Sequence, residues 1–197
     1  KTLFIWPEGV FSGYHYNEIL IFKELIKKNF SKKHHIIFGV NKLEEKTGLF
    51  YNSLLLVNNE FEVIQQYNKQ KLVPFGEFLP FENLLNKFGL KKITEGHGSF
   101  QKGEDKINLK LDQINILPLI CYEVIFTKLI QEANINTNLI VNISEDAWFG
   151  NTIGPEQHYV KSIFRAIEHG TFFLRSANKG ISAIIDNRGT TIKQLNR

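Results

Sequence analysis

The sequence of 197 residues has one cysteine, no methionine and five prolines. A single cysteine excludes an internal disulfide, so the fold does not require an oxidising compartment. No run of 18 or more apolar residues is present, which excludes a membrane-spanning helix from this chain, and no signal peptide is visible. Because the chain opens without methionine on a strand-like segment, we expect it to be part of a longer protein.

Long stretches of one charge are also missing. The chain carries 24 Lys and Arg against 20 Asp and Glu, a net charge of +4. Lysine pairs occur at 27–28, 32–33 and 91–92, but no block of five or six like charges appears. This scattered basic charge argues against nucleic-acid binding, and it is more compatible with attraction to an anionic membrane surface.

The residues that are present suit a single α/β domain over 1–197. Hydrophobic residues make up 43% of the chain and 17 phenylalanines supply much of a sizeable core. Apolar runs bounded by turn residues predict strands, and apolar residues at helical spacing predict helices. The predicted strands lie in 2–8, 34–41, 51–59, 62–73, 107–126, 137–144 and 171–195, and the predicted helices in 17–30, 79–90, 126–133 and 154–170.

Several strands turn polar at their carboxyl ends. Runs such as LIVNIS and FFLRSAN are apolar on both faces before they do so, as is typical of a sheet covered by helices. Glu8, Cys121, Ser144 and Asn178 each lie at or near such an end. Because ligands bind at the carboxyl edge of such sheets, we expect these side chains to converge.

Cys121 is either a small residue packed in a core strand or a nucleophile. A thiol is only a few per cent ionised at neutral pH, so a nucleophile needs a base and a cation nearby. None of the six histidines stands in an obvious Cys/His motif. A glutamate base with a lysine partner is the other solution. Strand alternation would return Glu123 to the face of Cys121 and point Tyr122 away.

Three further segments supply candidates for a site. Glu8 follows Trp-Pro where a strand must stop, and Lys71 precedes a loop whose prolines and glycine would hold Glu77 in place. Trp148 and Phe149 could form the wall of a pocket after a buried strand. Read singly, Glu8 and Lys71 are more typical of solvated surface positions than of an active site.

The order of these motifs carries more information than any one of them. WPEG, KLVPFGEFLPF, CYE, NISEDAWFG and GPEQH, followed by RAIEHGTFFLRSANKGISAIID, resemble the carbon-nitrogen hydrolase (nitrilase) superfamily over residues 3–192. Within it, VPFGE, DAWFG and GPEQH are most similar to the apolipoprotein N-acyltransferase branch. The resemblance implies a four-layer α-β-β-α sandwich, incomplete at both ends of this chain and without the membrane helices of that branch.

The resemblance also implies a Glu-Lys-Cys triad. Glu8 would be the general base, Lys71 the cation that stabilises an oxyanion, and Cys121 the nucleophile. Glu77 would be a second essential carboxylate, and Tyr122 and Glu123 match residues that follow the family's cysteine. Trp148 and Phe149 match a pocket loop that contacts acyl chains or a lipid headgroup. No metal or organic cofactor is implied.

The implied reaction transfers an acyl chain from a phospholipid, through a thioester on Cys121, to the N-terminal amine of a diacylglyceryl-cysteine lipoprotein. The implied location is the bacterial inner membrane, with this domain on the periplasmic side. Two positions depart from the family pattern: Gly9 replaces the usual Ser or Thr, and Glu145 replaces the usual Asn. A soluble amidase that hydrolyses a small C–N bond, and an inactive remnant of the transferase, are the alternatives.

Overall fold

The computed structural model describes residues 1–80, 99–104, 108–131 and 136–196. The first of its two sheets has four strands in the order β1-β2-β3-β4. β1 runs parallel to β2, and the other neighbours are antiparallel. The strand predicted over 62–73 ends early, at Asn68. The strands are β1 (Thr2–Ile5), β2 (His34–Glu44), β3 (Leu49–Val57) and β4 (Val63–Asn68).

The second sheet has six strands in the order β10-β9-β8-β7-β6-β5. Its central strands β6, β7 and β8 are parallel, and the pairs at both edges are antiparallel. The segment 107–126, predicted as strand, forms the antiparallel hairpin of β5 and β6 up to Ile120. The strands are β5 (Leu109–Leu111), β6 (Ile114–Ile120), β7 (Leu139–Glu145), β8 (Phe172–Asn178), β9 (Ser182–Ile185) and β10 (Thr191–Leu195).

Helices cover the outer face of each sheet. The helix predicted over 17–30 is divided by a 3₁₀ turn at Leu20–Phe22. The helix predicted over 154–170 is confirmed: proline stands in its first turn, and Gly170 ends it in the left-handed conformation with φ of 66°. The helix predicted over 79–90 lies almost entirely outside the described residues. The helices are α1 (Tyr16–Ile19), α2 (Lys23–Asn29), α3 (Thr127–Gln131) and α4 (Gly154–His169).

Three apolar clusters show that the layers stack as helix, sheet, sheet and helix. The central cluster joins the two sheets through side chains such as Ile37 and Leu56 from the first and Val141 and Ile143 from the second. One outer cluster lies between the first sheet and α1 and α2, and the other between the second sheet and α3 and α4. The predicted α-β-β-α class is therefore confirmed, and burial of these apolar faces is what drives the layers together.

The carboxyl ends of strands from both sheets come together at one edge. The 3₁₀ turn Glu8–Phe11, which follows β1, contacts β2 of its own sheet and β7 and β8 of the other. β6 and β7 also end at this edge, at Ile120 and Glu145. Within the part of the chain that the structure describes, no helix has the length and apolar character needed to span a bilayer.

We expect Leu56→Ala to lower the free energy of unfolding by about 2–5 kcal/mol, because it leaves a cavity between the sheets where the leucine is fully buried. Denaturant unfolding of the protein measures the change. Ile21, which is 71% exposed, provides the control: Ile21→Ala should change stability by no more than about 0.5 kcal/mol. Equal losses in the two variants would contradict the layered core.

Candidate active site

Cys121 stands where strand β6 turns into a 3₁₀ helix. The strand ends at Ile120, and the 3₁₀ helix runs over Cys121–Ile125. The backbone of Cys121 has φ of 47°, a left-handed conformation that costs a residue with a β-carbon about 1–2 kcal/mol. Strained residues persist only where the surrounding structure holds them in place, and they cluster at functional sites. The side chain is buried within the central cluster.

Glu8 reaches the same edge from the first sheet. Pro7 precedes it in an extended conformation, and Glu8 opens the 3₁₀ turn that leaves β1. Its Oε1 accepts a hydrogen bond from Asn52 Nδ2 at 2.7 Å, and its Oε2 accepts one from the backbone N–H of Glu145 at 3.1 Å. The carboxylate is therefore fixed by a side chain of one sheet and the backbone of the other.

Lys69 lies between two carboxylates and is almost fully buried, with 1% of its surface exposed. Its Nζ donates to Glu77 Oε1 at 2.9 Å and lies 3.4 Å from Glu8 Oε1. The backbone of Lys69 donates to the carbonyl of Asn52 and accepts from the N–H of Gly103. Both ends of this residue are thus held, which fixes a positive charge at the edge where the strands meet.

The structure brings Lys69, and not the predicted Lys71, to the two carboxylates. The predicted Lys71 donates its backbone N–H to Glu123, and its Nζ lies over the ring of Phe126 at 5.6 Å from the centroid. Lys69 and Lys71 would share a face if β4 ran on to residue 73, so alternation alone does not separate them. Because β4 ends at Asn68, the chain turns between the two lysines and only Lys69 pairs with Glu8 and Glu77.

Asn52 belongs to the same cluster and is absent from the sequence-based candidates. Its Nδ2 donates to Glu8 Oε1 and to Glu77 Oε1, each at 2.7 Å, from a buried position on β3. A second contact fixes the Glu77 carboxylate, since its Oε2 accepts a hydrogen bond from the backbone N–H of Val73 at 2.8 Å. The sequence did contain a signal for Asn52. Its amide stands directly before the apolar run SLLLV, and a polar side chain that is buried there requires hydrogen-bond partners.

Glu123 is a buried anchor, and the strand alternation expected to bring it beside Cys121 does not occur. Its carboxylate ties the 3₁₀ helix after Cys121 to the segment that carries Lys69, and burial raises its pKa while backbone N–H donors oppose the rise. It accepts four hydrogen bonds, at 2.6–3.0 Å, from the Tyr67 hydroxyl and from the backbone N–H groups of Gln70, Lys71 and Ile120.

Three aromatic candidates lie around the buried cluster. The Tyr122 ring packs edge-on against Phe126, with centroids 5.0 Å apart. Trp148 and Phe149 end the 3₁₀ turn that follows β7, and Trp148 is 66% exposed. The Phe149 ring centroid lies 5.4 Å from that of His158. The role of Trp148 and Phe149 as a substrate-binding wall stays a prediction.

The charges of this cluster act on one another. Burial and the neighbouring Glu8 carboxylate raise the pKa of the Cys121 thiol to about 12, and Lys69 opposes that rise. Burial alone would lower the pKa of Lys69, but Glu8 and Glu77 outweigh it and raise that pKa well above its usual range. The resting site therefore holds a neutral thiol and a protonated lysine.

This arrangement is suited to covalent catalysis. Glu8 can act as the base that activates the thiol, and the Lys69 ammonium can stabilise negative charge that develops on a carbonyl oxygen under attack. Within the described residues, no three His, Cys, Asp or Glu side chains are grouped so as to hold a metal ion.

Gly9 and Glu145, the two departures from the family pattern, are neighbours. A β-carbon on Gly9 would lie 1.8 Å from Glu145 Oε2. The Glu145 carboxylate is held there by Asn178 Nδ2, at 2.8 and 3.1 Å from its two oxygens. The glycine therefore leaves the space that this carboxylate occupies beside Glu8.

Comparison with known proteins gives a consistent result. A model of the carbon-nitrogen hydrolase family matches residues 2–197. An apolipoprotein N-acyltransferase of Rhizobium leguminosarum is 42% identical over 147 residues, which cover 74% of this chain and 28% of that protein. An apolipoprotein N-acyltransferase of Rhodopseudomonas palustris is 36% identical over 200 residues, 98% of this chain and 37% of that protein. The chain thus spans well under half the length of these curated relatives.

A solved structure supports the fold. The crystal structure of Saccharomyces cerevisiae Nit3, a member of branch 10 of the nitrilase superfamily, matches with a TM-score of 0.69 at 17% sequence identity. The match covers 100% of this chain and 73% of Nit3. The two proteins therefore share the arrangement of sheets and helices.

We expect the thiol of Cys121 to make the protein less stable in alkali. Its pKa is about 12 in the folded chain and about 9 in an unfolded one, so above pH 9 the unfolded state loses a proton that the folded state keeps. Stability should then fall by up to about 1.4 kcal/mol per pH unit, up to the folded pKa. Denaturant unfolding between pH 8 and about pH 11 should show a shallower fall in Cys121→Ala. Identical slopes in the two proteins would contradict a raised thiol pKa.

We also expect Gly9→Ala to destabilise the protein by about 1–3 kcal/mol, because the new methyl group overlaps a carboxylate that Asn178 holds in place. Adding Glu145→Ala should recover most of the loss. A double-mutant cycle from denaturant unfolding measures this coupling. Strictly additive effects of the two substitutions would show that the side chains do not compete for this space.

Proposed function

Because this chain belongs to the carbon-nitrogen hydrolase family, we propose that it carries the active site of an apolipoprotein N-acyltransferase. The relatives that bear this name, 36–42% identical, support the choice of reaction. The observation that carries the chemistry is the position of Lys69 between Glu8 and Glu77 beside the buried Cys121. These groups supply a base, a cation and a nucleophile for acyl transfer.

The first half of the proposed reaction loads an acyl chain onto Cys121. Glu8 removes the thiol proton as the sulfur attacks the ester carbonyl of a phospholipid, and Lys69 stabilises the oxyanion that forms. The C–O bond of the ester then breaks. The leaving alkoxide takes the proton back from Glu8, so that a lysophospholipid departs and a thioester remains.

The second half transfers that chain to an amine. The free α-amino group of a diacylglyceryl-cysteine attacks the thioester carbonyl, and Glu8 takes a proton from the attacking nitrogen. The C–S bond breaks, and the proton on Glu8 passes to the departing thiolate. The site is restored and the lipoprotein carries a new amide. Exclusion of water favours the amine over hydrolysis, and the burial of Cys121 is consistent with such a site.

The proposed partners follow from this chemistry. They are a phospholipid donor, a diacylglyceryl lipoprotein acceptor and the surface of the bacterial inner membrane, with this domain on the periplasmic side. Trp148 and Phe149 would contact acyl chains or the headgroup, because they are exposed apolar side chains on the turn after β7. No nucleic acid takes part.

An amidase would use the same three groups with water as the second acceptor. The names of the relatives at 36–42% identity favour the transferase. An inactive remnant would have no need to keep a buried lysine paired with two carboxylates. Apolar side chains of similar volume can replace such a buried ion pair without loss of stability.

The experiment that tests the proposal is to trap the thioester. The natural full-length protein is incubated with phospholipid, and peptide mass spectrometry looks for an acyl group on Cys121 that hydroxylamine removes. We expect Lys69→Met to reduce the rate of acylation by about 100-fold or more, because the oxyanion loses its cation. Lys71→Met should stay within about threefold of the wild-type rate, since its Nζ lies over Phe126.

Two controls make this result specific. Cys121→Ala must abolish the label, and denaturant unfolding must show that Lys69→Met is folded. If no acyl group forms on Cys121 with phospholipid and the protein turns over small amides, the proposed function is an amidase and not the transferase. A larger loss in Lys71→Met than in Lys69→Met would overturn the assignment of the lysine.

A further inference from the structure

The strained backbone of Cys121 is held by a group outside the Glu-Lys-Cys cluster. The carbonyl oxygen of Cys121 lies 3.2 Å from Nε2 of His158, a buried residue of α4. A carbonyl oxygen can only accept, so Nε2 is the donor. This hydrogen bond fixes the peptide plane directly after the residue whose φ is 47°, and with it the direction in which the thiol leaves the backbone.

His158 is itself oriented by a buried carboxylate. Nδ1 lies 2.9 Å from Asp146 Oδ1, and Asp146 is fully buried at the start of the 3₁₀ turn that follows β7. The same Oδ1 accepts a hydrogen bond from the Ser144 hydroxyl at 2.7 Å. Burial would raise the pKa of Asp146, but contacts with His158, Arg175 and Ser144 outweigh it, so the net effect lowers that pKa. The ring of His158 is thus held by an ionised partner.

Arg175 completes the support from strand β8. Its Nη2 donates to Asp146 Oδ2 at 2.6 Å and lies 3.1 Å from His158 Nδ1. Its Nη1 donates to Asn142, and its Nε donates to the carbonyl of Ile181 at 3.1 Å. The chain leaves room for this network, because a β-carbon on Gly180 would lie 2.1 Å from Asp146 Oδ2.

We infer that His158 is a positioning residue for the nucleophile: its hydrogen bond to the Cys121 carbonyl, supported by Asp146 and Arg175, keeps the thiol directed at Glu8 and Lys69. The inference rests on the proposed nucleophilic role of Cys121, and it is independent of the substrate. The geometry assigns the network this task because it joins β7, β8 and α4 to the backbone carbonyl of Cys121.

Alkylation of Cys121 by iodoacetamide tests this without a substrate. The full-length protein is labelled at pH 8, and peptide mass spectrometry follows the rate at Cys121. His158→Ala should slow alkylation by about 10- to 100-fold, because a thiol displaced from its base by about 1 Å loses its activation. His158→Gln, which can place an N–H donor near the position of Nε2, should recover the rate to within about fivefold of wild type.

Two matched variants separate positioning from general damage. His169→Gln changes another histidine of α4 and should leave the rate unchanged. Gly180→Ala displaces Asp146 and should slow alkylation in the same way as His158→Ala. If His158→Ala does not fold, it will show no melting transition and its cysteine will react faster than in the wild type. In that case the alkylation rates of His158→Gln and Gly180→Ala decide whether His158 positions the thiol.

The inference is overturned if folded His158→Ala or Gly180→Ala keeps the wild-type rate, or if folded His158→Gln is as slow as His158→Ala. Failure of the proposed function looks different. Alkylation would then depend on His158 as expected, while no phospholipid acyl group is ever trapped on Cys121.

Discussion

The burial of one positive charge, that of Lys69, constrains the rest of the site. An ammonium removed from water needs opposite charges and hydrogen-bond acceptors around it, or it loses its proton. Glu8 and Glu77 meet this need from the ends of two different segments, and Asn52 links their two carboxylates through a single amide nitrogen. These groups all come from the first sheet and the segments that follow its strands. The second sheet adds the backbone N–H of Glu145, which fixes Glu8, and the thiol of Cys121, so the complete site forms only when the two sheets pack together.

The thiol is placed by backbone geometry rather than by a side-chain rotamer alone. Cys121 leaves strand β6 in a left-handed conformation, and Glu123 anchors the turn on one side while His158 holds the carbonyl on the other. Both anchors are buried: Glu123 belongs to the turn itself, and His158 reaches it from α4. A strained residue persists when its surroundings over-determine it, and the strain at Cys121 is consistent with selection for the direction of its sulfur.

Prediction from the sequence was accurate for the layers and less so for the site. The positions of the sheet strands, the helix over 154–170 and the four layers agree with the structure because they follow from local periodicity and the burial of apolar faces. Glu8 and Glu77 share the Asn52 amide, and the Glu8 carboxylate raises the pKa of the Cys121 thiol. Lys71 does not pair with the two carboxylates, and Glu123 does not return to the face of Cys121, because the chain turns where continuing strands were assumed.

The sequence by itself determined the fold class, the family and the types of residue available for chemistry, because these depend on composition, periodicity and the order of short motifs. Tertiary structure alone decided which lysine carries the buried charge, that Asn52 bridges the carboxylates, and that His158 donates a hydrogen bond to the carbonyl of Cys121. The physical reason is that hydrogen bonds and ion pairs act over about 3 Å, so a single turn more or less in the backbone changes which side chains can meet.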